Sequence, residues 1–105
     1  MEKPPYSLDY LRQMLAAYFA DKPVRRVQVF GSYARGEATV ESDLDLLMEL
    51  AHPVGWEWLL YADELSERLG IRVDLGTAVS DYIMRYISRD LQCLYESEPR
   101  QRAAA

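Results

Sequence analysis

The sequence predicts an α/β (α+β) fold: a small mixed sheet of three to four strands with helices packed against it. Three observations predict it. Apolar residues recur at helical spacing over residues 8–21, 54–70 and 80–90, while short runs at 24–30 and 71–77, rich in β-branched residues, and a leucine-rich run at 43–50 read as strands. The two kinds of segment alternate along the chain, and alternation puts helices onto a shared sheet. With 105 residues, half of them hydrophobic and 28% charged, the chain has the size and balance of one globular domain. The expected core is about residues 7–96, with tails at 1–6 and 97–105.

Each element has a local cause. Ser7 is a suitable N-cap for a first helix that carries Leu8, Leu11, Leu15, Tyr18 and Phe19 at helical spacing. Lys22-Pro23 stops it, and VRRVQVF (24–30) forms the first strand. Gly31-Ser32 breaks that strand, SYARG makes one helical turn closed by Gly36, and EATVES is loop. DLDLLMEL (43–50) is a second strand that becomes continuously apolar, hence buried, and His52-Pro53 ends it. VGWEWLLYADELSERLG is a helix with Trp58, Ala62, Leu65 and Leu69 in one stripe and Gly70 at its end. IRVDLGT (71–77) is the third strand. Ser80 caps a last helix expected to turn Ile83, Tyr86 and Ile87 inward, and LQCLYE (91–96) is read as a short final strand.

Composition excludes several functions. No apolar run approaches the roughly 20 residues of a membrane-spanning helix, and MEKPPYSLDY has no apolar signal region. A lone cysteine, Cys93, cannot form an internal disulfide, so the cytoplasm is expected. Cys93 reads as a small buried hydrophobe. Seventeen acidic residues against 12 basic, with no basic cluster, fit a cation or a basic partner better than direct nucleic-acid binding.

The chemistry concentrates in FGSYARGEATVESDLDLLMEL. Residues i and i+2 of a strand share a face, roughly 6.5–7 Å apart, so Asp43 and Asp45 should stand together while Leu44 and Leu46 face the core. Two carboxylates so placed repel unless a cation lies between them. Oxygen ligands without neighbouring His or Cys suit Mg²⁺ or Mn²⁺. Gly31-Ser32 opens a helical turn whose free N–H groups can meet a phosphate, and Gly31 has no Cβ to block it. Asp74, in the middle of an otherwise apolar strand, is costly without a partner. If its strand lies beside that of Asp43 and Asp45, three carboxylates converge. That is the ligand set of a two-metal phosphoryl or nucleotidyl transfer. Each piece also has a plainer reading: an ordinary turn, a solvated strand entry, an edge residue. Arg35 can steady a triphosphate or merely pair with Glu37 or Asp43. His52 reads as a loop residue, and Tyr18, Tyr82, Tyr86 and Tyr95 as core or half-buried. Trp56 and Leu60 lie off the helical stripe and suit an interface.

GSYARGE…SDLDLLMEL, with ELSERLGIRVDLGT and IMRYISRDLQCLYE, resembles the minimal nucleotidyltransferases (MNT proteins) of the DNA polymerase β superfamily, over most of residues 8–96. Tyr33 stands where that family is often basic. The resemblance implies the nucleotidyltransferase fold, with Gly31 and Ser32 holding ATP phosphates and Arg35 nearby. It makes Asp43 and Asp45 ligands of both Mg²⁺ ions, and Asp74 a ligand that also helps activate the acceptor hydroxyl. It further implies an antitoxin that transfers AMP from ATP to a tyrosine of a cognate HEPN-domain toxin. Two alternatives stay open: an antitoxin that acts by binding alone, and transfer to a small molecule.

Overall fold

The computed structural model describes residues 2–97. The elements follow in the order α1 (Leu8–Phe19), β1 (Val24–Phe30), α2 (Ser32–Arg35), β2 (Leu44–Leu50), α3 (Leu59–Leu69), β3 (Val73–Gly76), α4 (Asp81–Ile87) and β4 (Gln92–Glu96). Their strands form one mixed sheet in the order β3-β2-β1-β4. β1 runs antiparallel to β2 and β4, and β2 runs parallel to β3.

The sheet has one covered face and one bare face, and strand periodicity decides which residue goes where. Val27 pairs with Met48, Val29 with Leu46 and Leu44 with Val73, and all six are buried. Against them pack Leu11, Leu15, Tyr18 and Phe19 of α1 and Tyr61, Leu65 and Leu69 of α3. The alternate positions, Phe30 opposite Asp45 and Gln28 opposite Leu47, belong to the other face.

Capping accounts for the helix starts. Ser7 accepts a hydrogen bond from the Tyr10 amide at the head of α1, and Ser80 accepts one from Ile83 at the head of α4. α3 begins at Leu59, later than its apolar pattern suggests. Residues 56–58 instead form tight turns, with the amides of Leu59, Leu60 and Tyr61 bonded three residues back. Its buried stripe is Tyr61, Leu65 and Leu69, because the Tyr61 ring packs edge-on against Tyr18 and Phe19.

Four expectations are corrected. α4 buries none of its residues: Ile83 and Tyr86 are exposed and Ile87 is half-buried, because α1 and α3 already cover the apolar face. Tyr82 is exposed with them, whereas Tyr18 is buried and Tyr95 half-buried. Cys93 is exposed, since Leu94 takes the inward position of edge strand β4. Tyr6, assigned by sequence to a tail, stacks on Tyr10 with ring centroids 5.0 Å apart and donates its hydroxyl to the Leu69 carbonyl. The C-terminal tail expected at 97–105 lies, beyond Ser97, outside the described residues. No helix among the described residues is long and apolar enough to cross a membrane.

Ser66 connects the core to the bare face. Its Oγ donates to the Ala62 carbonyl at 2.7 Å and accepts from the buried Val73 amide at 3.0 Å, which sets the start of β3 one residue before Asp74. Ser66→Ala leaves that amide unpaired, a cost of about 1–3 kcal/mol. The expected result is a melting temperature lower by roughly 4 °C or more, at ~4–8 °C per kcal/mol for a domain of this size. An unchanged value would show that the bond contributes nothing.

Candidate active site

The site is built where three strand ends meet. β1 stops at Phe30 because Gly31 turns the chain at φ 77° and ψ −153°, a conformation almost confined to glycine. α2 then makes a single turn, closed by Gly36 at φ 75° with its amide bonded to the Ser32 and Tyr33 carbonyls. Tyr33 anchors this turn by burying its ring in the core, and its hydroxyl has no hydrogen-bond partner among the described residues. Gln92 of β4 donates to the Ala34 carbonyl at 2.7 Å and holds the turn from the other side.

Register brings the carboxylates together. Asp45 is the pairing partner of Phe30 on one side and of Asp74 on the other, so Asp45 and Asp74 stand on neighbouring strands on the bare face. Adjacent strands lie roughly 4.8 Å apart. Asp43 immediately precedes β2 and is half-buried, like Asp45, whereas Asp74 is exposed. The Gly-Ser turn touches this group directly: a Cβ on Gly31 would lie 2.5 Å from Oδ2 of Asp45. The glycine is therefore required twice, by its backbone angle and by the carboxylate against it.

Electrostatics agree with the geometry. Burial, then the charges of Asp74 and Asp43, push the Asp45 carboxyl above the usual carboxylate range, while Arg35 and Arg72 oppose that rise. Arg72 lies 3.4 Å from an Asp74 carboxylate oxygen. Arg35 donates to Asp90 at 2.9 Å and to Glu37 at 3.4 Å. Glu37 was one of its two expected partners; Asp43 was the other and is replaced by Asp90. Sequence reasoning missed Asp90 and Arg72. Arg72 had a signal, being two residues before Asp74 on the same strand face; Asp90 had none, because only the tertiary fold brings it to Arg35.

This donor set fits a hard divalent cation. Asp43, Asp45 and Asp74 offer oxygen only, and their mutual repulsion is relieved by positive charge. Among the described residues no three His, Cys, Asp or Glu side chains are already gathered around a common point. Magnesium needs no such cage, because it retains water and takes phosphate oxygens.

The raised Asp45 pKa has a consequence for stability. The folded chain holds this proton more tightly than the unfolded chain does. Its stabilising contribution is thus complete below the unfolded carboxyl pKa and is lost as pH rises through the raised folded value. Asp45→Asn, in chelator, is expected to raise the melting temperature at pH 7, with the gain shrinking as pH falls into the carboxyl range. A lower melting temperature at pH 7 would contradict the repulsion.

A cleft of about 500 Å³ lies behind α2, lined by Tyr6, Ser7, Tyr33 and Arg35 among others, and none of the three aspartates borders it. The carboxylates occupy open sheet instead. His52 is exposed in the loop after β2, as expected.

Comparison with known proteins agrees with this arrangement. Residues 10–101 match the nucleotidyltransferase domain family. MJ0128 of Methanocaldococcus jannaschii, provisionally named a protein adenylyltransferase, is 42% identical in a 72-residue alignment that covers 65% of this chain and 74% of that protein. A solved chain provisionally described as a minimal nucleotidyltransferase is 31% identical, with a TM-score of 0.64 over 85% of this chain and 97% of that one. A chain from a complex of tri-AMPylated Shewanella oneidensis HEPN toxin with MNT antitoxin shares the fold at 19% identity, with a TM-score of 0.63 over 86% of this chain and 73% of that one. The glycine-serine turn, the paired aspartates of β2 and the aspartate of β3 thus lie in a chain that belongs to the nucleotidyltransferase domain family, among the minimal nucleotidyltransferases.

Proposed function

We propose that the protein transfers AMP from ATP to a tyrosine of a cognate HEPN-domain toxin and so acts as its antitoxin. The observation that carries this reading is the pairing of Asp45 with Asp74 beside Gly31. The relatives named as protein adenylyltransferases, and the fold shared with a chain from an AMPylated toxin complex, support the donor and the acceptor. The open sheet face supports a macromolecular acceptor, because the described residues form no enclosed pocket around the three aspartates.

In this reading the Gly31 and Ser32 amides and the Ser32 hydroxyl bind triphosphate oxygens, and Arg35 lies beside them as a counter-charge. Asp43, Asp45 and Asp74 are the residues that would hold Mg²⁺. When bound, these ions neutralise the triphosphate and the departing pyrophosphate. The acceptor tyrosine's oxygen attacks the α-phosphorus of ATP, and the bond from that phosphorus to the oxygen bridging to the β-phosphate breaks. Pyrophosphate leaves with the electron pair, and Asp74 receives the phenolic proton.

Incubation of the purified protein with α-labelled ATP, Mg²⁺ and a cognate HEPN-domain toxin tests the reading. The toxin should gain label on tyrosine and lose activity, and chelator should prevent both. A toxin neutralised without label would point to an antitoxin that acts by binding alone.

A further inference from the structure

The protein has eight tyrosines, and the fold sorts them sharply. Tyr18, Tyr33 and Tyr61 are buried, and Tyr6, Tyr10 and Tyr95 are partly buried. The hydroxyls of Tyr6, Tyr18 and Tyr95 are committed to Leu69, Glu64 and Phe19. Only Tyr82 and Tyr86, 64% and 66% exposed, present their rings to solvent. They lie one turn apart on α4, with ring centroids 5.2 Å apart and hydroxyl oxygens 3.2 Å apart. Two phenols therefore form one exposed polar tip.

The helix that carries them is unusually free. It buries no side chain, so it is held chiefly by its Ser80 cap and by the segments at its two ends. One end continues from β3, which bears Asp74, and the other leads to Asp90, bonded to Arg35. Among the described residues neither tyrosine hydroxyl bonds to Asp43, Asp45 or Asp74. Exposed Arg85 lies between the two tyrosines in the sequence of α4, exposed Arg89 follows two residues past the helix end, and exposed Asp81 precedes Tyr82. The neutral phenols, with Arg85 between them in sequence, carry no charge that a face of three aspartates would repel, and Arg85 favours encounter with it. The chain thus carries both a candidate transfer site and exposed candidate acceptors, with no hydrogen bond between them among the described residues.

We infer that the Tyr82–Tyr86 pair is itself an adenylylation site, modified in trans by the carboxylate site of a second copy of this chain. This rests on the adenylyl-transfer reading above. The phenolic oxygen of one tyrosine attacks the α-phosphorus of ATP held by the second copy, and a tyrosyl-AMP phosphodiester forms. The bond to the bridging α–β oxygen breaks, pyrophosphate leaves with the electron pair, and the phenolic proton passes to Asp74 of the second copy. Either hydroxyl can serve, but the nucleotide added to one crowds the other at 3.2 Å, so one AMP per chain is expected.

The test is labelling with α-labelled ATP and Mg²⁺ in the absence of any other protein, followed by peptide mapping. Wild type should label itself within residues 81–87, at a rate that rises with the square of protein concentration. Tyr82→Phe and Tyr86→Phe should each keep label, and the double variant should lose it. The double variant should still label the HEPN partner, and should still label a chain carrying Asp43→Ala and Asp45→Ala. Label that persists in the double tyrosine variant, or failure to label the aspartate-deficient chain, would overturn the inference. Label on the partner with none on wild type itself would overturn it too, while leaving the adenylyl-transfer reading intact. Absence of label on both would overturn that reading along with the inference.

Discussion

Replacing Asp43 and Asp45 together by alanine is expected to lower the proposed adenylyl transfer at least ~10³-fold. Charge stabilisation by bound metal contributes several kcal/mol to a phosphoryl-type transition state, and each 1.36 kcal/mol is about tenfold in rate. Both carboxylates lie on or next to β2, and Leu44 between them is fully buried, so the two side chains can be removed without opening the core. The raised Asp45 pKa adds a control. Removing repelling charges should leave the melting temperature in chelator unchanged or higher at neutral pH. Added Mg²⁺ should then raise the melting temperature of wild type and not of the variant. Labelling that survives the double substitution would remove these residues from the site.

Gly31→Ala has the second largest expected effect, and it acts on both stability and activity. A side chain at φ 77° and ψ −153° costs about 1–3 kcal/mol, or roughly 4–24 °C in a domain of this size. The new Cβ would lie 2.5 Å from Oδ2 of Asp45, so the carboxylate must swing away from its place beside the turn. Gly36→Ala separates the two effects. Gly36 also has positive φ, 75°, but a Cβ there meets nothing within 4 Å. Its variant should lose stability, by about 1–2 kcal/mol, and keep its rate. Equal losses of rate in the two variants would show that backbone strain alone matters and that contact with Asp45 does not.

The elements were legible where local chemistry decides them. Ser7 and Ser80 cap helices that begin next to them, Gly36 and Gly70 close α2 and α3, and β1 spans Val24–Phe30 as its pattern indicates. Those features are settled within a few residues of chain. The final strand, β4, was legible too, although only pairing with β1 gives it a place. Errors gathered in α4 and at Cys93, where an apolar residue was equated with a buried one. Ile83 and Tyr86 carry the pattern of a packed helix, but the sheet face that would receive them is already occupied by α1 and α3.

The site divides along the same line. The order of glycine-serine turn, D-x-D and a later aspartate can be read from one chain, and it is enough to indicate the family. The i, i+2 spacing of Asp43 and Asp45 and the apolar frame around Asp74 are properties of local periodicity. What the spacing leaves undecided is long-range: that β3 runs parallel beside β2 with Asp74 opposite Asp45, that Gly31 abuts the Asp45 carboxylate, and that Asp90 reaches Arg35. The exposure of Tyr82 and Tyr86 belongs with these. Local pattern determines which way a side chain points within its own element. Only the packing of elements decides whether anything stands in front of it.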